Sequence, residues 1–382
     1  VSLVLVVAPV FEAAAAFQWP WGRFSPWPGS SREPVVALDH PVLASGALDS
    51  SRVVRFVAFG DQRALAEEEW PALIEHVASL HATSPVDFIL DTGDIIADGR
   101  ATDQFHHLRN LLRPVRTIPY VVAVGNHELH NGDSAEARRN TAAFLAYLDP
   151  AFGVDRMYFR KDVGRATFLV LDSNALVYGM EGEREALPDP IEPGSPEAEQ
   201  IEWLDAEFAS LSPDDLIVVA MHHPLIQASA KHAGQARSLW NGHVHGRRLL
   251  DWMADAGVDL ILTGHTHTYE RYRLEREDGR TVALVNLSGR PRDSLFWFGA
   301  GDRRPANIRG EEASWLAEEG FEPLAGWTIS QESVMSKSEE ADQLGVFEIS
   351  PNGRLTMEVR FLDEDAPEGI RSAPVVELHS GL

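Results

Sequence analysis

The chain has 382 residues and a formal net charge of −25, with 44% hydrophobic and 24% charged residues. These values describe a globular protein with a sizeable core. Its acidic field repels nucleic acid and anionic membranes, so no nucleic-acid-binding surface is expected. A phosphate-bearing substrate would need local cations, either metal ions or clustered arginines. The absence of cysteine excludes a disulfide framework and a thiolate metal site, which leaves His, Asp, Glu, Asn or backbone as metal ligands.

Residues 1–11 form an apolar run, and Ala13 to Ala16 follow as small residues before Phe17. This is the pattern of a secretory h-region and cleavage site. Residues 1–16 are therefore expected to be a signal-peptide remnant, and the protein to be exported (periplasmic or secreted). The run is too short to span a bilayer, and no other segment is long and apolar enough for a transmembrane helix. Residues 17–50 hold Trp19, Trp21 and Trp27 among Pro20, Pro26, Pro28 and Pro34, an extended lead-in on the domain surface.

The regular pattern begins after residue 50. Dense apolar or alternating runs predict strands over 53–59, 86–90, 120–124, 166–171, 216–220, 258–262, 282–287, 345–349 and 355–361. Apolar stripes at helical spacing predict helices over 64–80, 102–113, 134–148, 200–211 and 246–256. A loop rich in Pro and Glu covers 179–196, and residues 290–340 are irregular by pattern. Strand and helix alternate from 53 to 264, which argues for an α/β core. Residues 51–382 are expected to form a single domain whose C-terminal strands complete a sheet.

Strand ends are where open α/β sheets bind ligands. Five apolar runs are followed there by metal-competent side chains: Asp61, Asp94, Asn126, His222, and His265 with His267. Any one of these is an ordinary loop residue; five in the same context point to a common site. Oxygen and imidazole donors together suit Zn, Fe or Mn. A second Gly-His-x-His, Gly242 to His245, does not follow an apolar strand and is read as a decoy. His223, beside His222, is a candidate to support a ligand from behind. The arginines Arg290, Arg292, Arg303 and Arg304, clustered after the last core strand, are candidates to touch substrate.

The blocks Gly60-Asp61, Gly93-Asp94, Gly125-Asn126-His127-Glu128, Val219-Ala220-Met221-His222 and Gly264-His265-Thr266-His267 resemble, in order and spacing, the five motifs of calcineurin-like metallophosphoesterases. Thr268-Tyr269-Glu270-Arg271, Phe168 to Asp172, and Gln200 with Trp203-Leu204 are similar to the purple acid phosphatase branch. The resemblance implies a four-layer α/β/β/α sandwich of two mixed β-sheets flanked by helices. It implies two metal ions (Fe, Zn or Mn) bridged by Asp94, the first also held by Asp61 and His267, the second by Asn126, His222 and His265. It further implies a small phosphorylated substrate, with monoesters preferred, and a water activated by the cations. His127 would act at the leaving group, and His232, in the loop after His222 where related phosphatases place a substrate-facing His, would touch substrate. A phosphodiesterase of the same fold, or a non-catalytic member that binds metal or phosphate, are the alternatives.

Two positions depart from the pattern. Arg63 stands where many relatives have His, and Ala97 where purple acid phosphatases have Tyr. The first metal thus lacks an expected ligand, for which Gln62, Asp98 or water are candidates. Arg63 is either a bidentate clasp for substrate phosphate or a salt-bridge partner of a nearby carboxylate.

Overall fold

A computed structural model describes residues 35–46, 48–63, 69–129, 134–148, 156–179, 182–212, 214–228, 233–288, 311–312, 316, 320–334, 342–363, 366 and 369–381. Residues 1–34, His232 and the arginines at 290, 292, 303 and 304 lie outside the described residues.

In chain order the first strands are β1 (Val54–Phe59), β2 (Phe88–Asp91), β3 (Tyr120–Val122), β4 (Phe159–Val163), β5 (Ala166–Val170), a short pair β6 (Tyr178–Gly179) and β7 (Gly182–Glu183), and β8 (Leu216–Ala220). A second short pair, β9 (His243–Val244) and β10 (Arg247–Arg248), precedes β11 (Val258–Thr263), β12 (Tyr269–Arg276), β13 (Thr281–Leu287), β14 (Glu311–Glu312) and β15 (Trp327–Val334). The chain closes with β16 (Gln343–Ile349), β17 (Leu355–Leu362), β18 (Ile370–Ser372) and β19 (Val376–His379). The helices are α1 (Glu69–Thr83), α2 (Asp103–Leu111), α3 (Asn126–Leu129), α4 (Ser134–Leu148), α5 (Ser173–Val177), α6 (Pro196–Ser210), α7 (Ala233–Trp240) and α8 (Leu249–Asp255).

Among the described residues these strands make two large mixed sheets. One runs β18-β17-β16-β1-β2-β3, with β19 also on β17; the other runs β14-β15-β12-β13-β11-β8-β5-β4. Side-chain alternation in the second sheet explains the layers. Phe168, Val170, Val218, Ala220, Leu260 and Leu262 point into the core shared with the first sheet. Their neighbours Leu169, Ile217, Val219 and Ile261 point into a second core against α6, α7 and α8. Leu73, Ile74 and Val77 of α1 and Phe105 and Leu108 of α2 pack on the first sheet. Central strands buried on both faces are expected to be largely apolar; β8 is so throughout, and β2 and β11 are so apart from Asp91, Asp259 and Thr263. The result is the expected four-layer α/β/β/α sandwich.

Aromatic rings fill the middle of the sandwich. Phe56 of β1 stacks on Phe88 of β2 and Phe347 of β16, with ring centroids 4.9 and 4.6 Å apart. Phe168 of the opposite sheet meets Phe56 and Phe88 edge-on at 5.3 and 5.2 Å. Each such pair adds about 0.5–1.5 kcal/mol beyond burial. Behind the rings, registers align the strand ends. Phe59 pairs with Asp91 and Asp91 with Val122; Val170 pairs with Ala220 and Ala220 with Leu262. The loops that follow therefore emerge side by side.

Several boundaries differ from the sequence reading. Residues 327–334, expected to be irregular, form β15. Its sequence is mostly polar, and it is held by backbone pairing to β12 on one side and β14 on the other. The strand expected over 120–124 ends at Val122, and Ala123 N–H still reaches the Asp91 carbonyl at 2.9 Å. The helix expected over 246–256 starts at Leu249, because Arg247 and Arg248 pair with Val244 and His243 around Gly246, whose φ is +74°. The loop 179–196 holds the small β6–β7 turn, and α6 begins at Pro196 with Ser195 accepting from Ala198 N–H at its cap. From the lead-in, Leu38 and Leu43 are buried in the shared core, and Leu38 N–H bonds the Tyr147 carbonyl. Among the described residues no helix is long and apolar enough to cross a membrane.

Candidate metal centre

The first sheet delivers Asp61, Asp94 and Asn126; the second delivers His222, His265 and His267. The loops approach so closely that side chains would collide at several glycines. A Cβ on Gly125 would sit 2.3 Å from Asp94 Oδ1, and one on Gly264 would sit 2.8 Å from Asp61 Oδ2. Asp61, Arg63, Asp94, His265 and His267 all take left-handed backbone, with φ between +46° and +68°. That region is unfavourable for residues other than Gly, and clusters of such residues mark functional sites.

Four donors converge on one point. His222 Nδ1–H donates to the Thr92 carbonyl at 2.9 Å, which leaves the Nε2 lone pair facing inward. That Nε2 lies 3.1 Å from Asn126 Oδ1, 3.1 Å from His265 Nδ1 and 3.4 Å from Asp94 Oδ1. An amide oxygen, two imidazole nitrogens and a carboxylate oxygen gathered in a buried space are a donor set that suits a cation. His223 closes this side. It is fully buried, its Nδ1 is 2.8 Å from Ser173 Oγ, and its ring centroid is 4.4 Å from that of His265. His222, His223 and His265 form one potential metal-holding group, and Asp61, Asp94 and His222 another.

The first-metal side is differently furnished. Asp61 Oδ2 accepts from His265 N–H at 2.8 Å and from the Ser288 hydroxyl at 2.6 Å. Asp61 Oδ1 is buried with no hydrogen-bond partner among the described residues, and lies 3.5 Å from His267 Nε2. A buried carboxylate oxygen left in this way fits a cation. Arg63 Nη2 lies 3.3 Å from Asp94 Oδ2 and 3.0 Å from His267 Nε2, so Arg63 makes the salt bridge foreseen as one of its two roles. Asp98 is turned toward Arg100, whose Nε is 2.8 and 3.0 Å from its two oxygens. Gln62 is buried, and neither of its amide atoms has a hydrogen-bond partner among the described residues.

Asp94 is fully buried between these groups. Burial works to raise its pKa, but its interactions with His222, His127 and Arg63 outweigh burial and hold it well below the usual carboxylate range. His127 is the second residue of α3. Its Nδ1–H donates to the Ala97 carbonyl at 2.6 Å, and its Nε2 stands 3.7 Å from Asp94 Oδ2 with the side chain 29% exposed. Burial lowers the His127 pKa, against the pull of Asp94.

The sequence reading assigned no role to several supporting residues. Glu128 takes backbone N–H groups from Asp94, Ile96 and Gly125 at 2.9, 3.1 and 2.7 Å, joining the second and third loops. Ser288 bonds both Asp61 and the His267 N–H, the latter at 3.0 Å. Ser288 was legible by the same rule as the others, since it is the polar residue after the apolar run 282–287. Asn174 donates to the Val124 and Gly125 carbonyls across the sheets, and Gln200 brackets Asp172 with two hydrogen bonds. Glu270 accepts from Ala228 N–H, Thr268 and Tyr272 and braces the loop after His222. The second Gly-His-x-His lies elsewhere: His245 is exposed and pairs with Asp205 at 2.7 Å.

Purple acid phosphatase 22 of Arabidopsis thaliana is 23% identical to this chain over 227 residues, covering 58% of the chain and 45% of the relative. An uncharacterized protein of Mycobacterium tuberculosis is 25% identical over 298 residues, covering 69% and 53%. The chain thus spans about half the length of these curated relatives. In fold it is similar to a purple acid phosphatase from yellow lupin (Lupinus luteus) seeds, with a TM-score of 0.53 at 17% identity over 82% of this chain and 52% of that one. The family model of the calcineurin-like phosphoesterases matches residues 54–269. That stretch is more than half of the chain and carries every candidate donor from Asp61 to His267, and the chain belongs to the calcineurin-like phosphoesterase family, on the side of the purple acid phosphatases.

Proposed function

We propose that this chain is a metal-dependent phosphoester hydrolase with a two-metal centre, acting on small phosphomonoesters and carried on one domain over residues 51–382. The observation that carries the reading is Asp94. Its Oδ1 faces His222 and its Oδ2 faces Arg63 and His127, so one buried carboxylate stands between two groups of donors. Asp94, Asn126, His222 and His265 would hold one metal, and Asp61, Asp94 and His267 the other. Iron, zinc and manganese all suit such oxygen and imidazole donors. Ions there would supply Lewis acidity to phosphoryl oxygens and an activated water.

The chain's own residues have separate tasks. Thr92 and Ser288 fix which nitrogen of His222 and which rotamer of Asp61 face the centre. His127, with Nδ1–H held by Ala97, presents Nε2 at the rim, where it can pass a proton to the leaving oxygen as the P–O bond breaks. Arg63, which contacts Asp94 and His267, would meet the phosphate oxygens when it leaves them. Export through the leader-like residues 1–16 belongs to the same reading.

The test is a panel of phosphate mono- and diesters with manganese, zinc or iron supplied. Monoester turnover that disappears in Asp94→Asn, with metal content lowered and the circular dichroism spectrum unchanged, is the expected result. Near-wild-type turnover and metal content in Asp94→Asn would refute the two-metal assignment, and faster diester turnover would refute the monoester preference.

A further inference from the structure

His267 Nε2 is claimed twice. It is the atom through which His267 would bind the first metal, and it is the atom that Arg63 Nη2 approaches at 3.0 Å. A guanidinium is always charged and has no acceptor, so in this contact it is the donor and Nε2 the acceptor. A neutral imidazole offers one lone pair. That lone pair cannot serve a metal ion and Arg63 together, and Asp94 Oδ2, 3.3 Å from the same Nη2, is the second shared atom.

We infer that Arg63 is a built-in latch on the first metal position: its guanidinium holds Asp94 and His267 until a metal displaces it, and once displaced it is free to clasp substrate phosphate. The inference rests on the phosphoesterase reading and extends it, because it ties occupancy of one metal to the availability of a phosphate-binding residue.

Three further observations support the latch. The backbone at Arg63 is left-handed, with φ +46°, and its N–H donates to the Asp94 carbonyl at 2.9 Å, which aims the side chain at the centre. The side chain is 22% exposed, whereas those of Asp94 and His267 are 0% and 6% exposed, so of the three groups Arg63 lies nearest to solvent. Its Nε is buried with no hydrogen-bond partner among the described residues, so the latched state leaves one donor unmet. Among the described residues the contacts of His222 Nε2 are Asn126, His265 and Asp94, none of them a guanidinium.

The experiment is calorimetric titration of chelator-stripped protein with Mn²⁺ or Zn²⁺, with bound metal counted by mass spectrometry. Wild type is expected to bind two ions unequally, and His267→Ala to lose the weaker event, which identifies it. Arg63→Ala is expected to tighten that weaker event by about tenfold or more and to leave the tighter one unchanged. At saturating metal, the same variant should raise KM for a monoester more than it lowers kcat. In wild type, the Arg63 guanidinium NMR signals, assigned with Arg63→Lys, should shift at the second equivalent of metal and not the first. Two events in both proteins with the weaker one unchanged by Arg63→Ala, or a guanidinium signal indifferent to the second equivalent, would overturn the latch while leaving the phosphoesterase reading intact. Absence of any metal binding in wild type would overturn both.

Discussion

Replacing Glu128 by Gln changes one atom and should cost much of the stability of the site's framework. Glu128 Oε2 accepts two backbone N–H groups, from Asp94 and Gly125, and Oε1 accepts a third, from Ile96. A glutamine can leave its carbonyl oxygen at the Oε2 position and keep two of the three. Its amide then turns an N–H toward the Ile96 N–H, donor against donor, in a fully buried place. A hydrogen bond to a charged group contributes about 1.5–3 kcal/mol, and a buried donor left unmet costs about 1–3 kcal/mol, so the sum is about 2.5–6 kcal/mol. That is a large share of the roughly 5–15 kcal/mol by which domains are stable. Urea unfolding of metal-free wild type and Glu128→Gln, in mildly alkaline buffer, measures the difference. Burial and the Asp94 charge raise the Glu128 pKa well above the usual carboxyl range, and the three N–H groups oppose them. A loss under about 1 kcal/mol would mean that burial has won, that Glu128 is already a neutral acid, and that the argument from three donors is wrong.

Other expectations are more local. His40 is buried against the Ile118 carbonyl, and burial lowers its pKa from the usual 6.5. The unfolded chain therefore takes up a proton that the folded chain resists, so stability falls as pH drops from 6.5 toward the lowered value; His40→Asn should unfold with a flatter pH dependence in this range, and an unchanged slope would count against it. His243→Ala with His245→Ala should leave metal content unchanged, while His265→Ala should lower it; elemental analysis showing the reverse would move the metal centre to the other Gly-His-x-His. Ser288→Ala removes the partner of both Asp61 and the His267 N–H, and should weaken metal binding about 10- to 100-fold; a titration indistinguishable from wild type would show that Ser288 does not orient these ligands.

The donors were legible because each follows an apolar run dense enough to read as a buried strand, as Leu216–Ala220 precedes His222 and Val258–Thr263 precedes His265. Parallel strands aligned at their ends then leave those residues few places to go. The same logic failed for β4 and β15, which lack a continuous apolar face. β4 alternates buried with half-buried residues, and β15 is set by pairing with β12. Glu128, Asn174 and Glu270 were opaque for a different reason. Most of their partners are backbone groups 32–49 residues away, and no local pattern announces a side chain that holds a distant loop. The place of Arg63 was half legible: its residue type announced a departure from the family, but only the approach of Asp94 and His267 decides what the guanidinium meets.

Because three candidate donors follow strands of one sheet and three follow strands of the other, a bound cation would act as a fastener between the two sheets at their strand ends. Neither sheet alone offers a complete set, so the binding free energy becomes available only after the two halves have docked. Metal would therefore reward the last stage of assembly and leave the earlier ones untouched. A ligand at a hundredfold excess over its Kd adds about 2.7 kcal/mol to the state that binds it. Here that increment would resist sliding or separation of the sheets more than fraying within either one. Stripping the metal should loosen the loops at the mouth of the sandwich first, while the stacked rings of Phe56, Phe88 and Phe347 with Phe168 across from them keep the far interior closed.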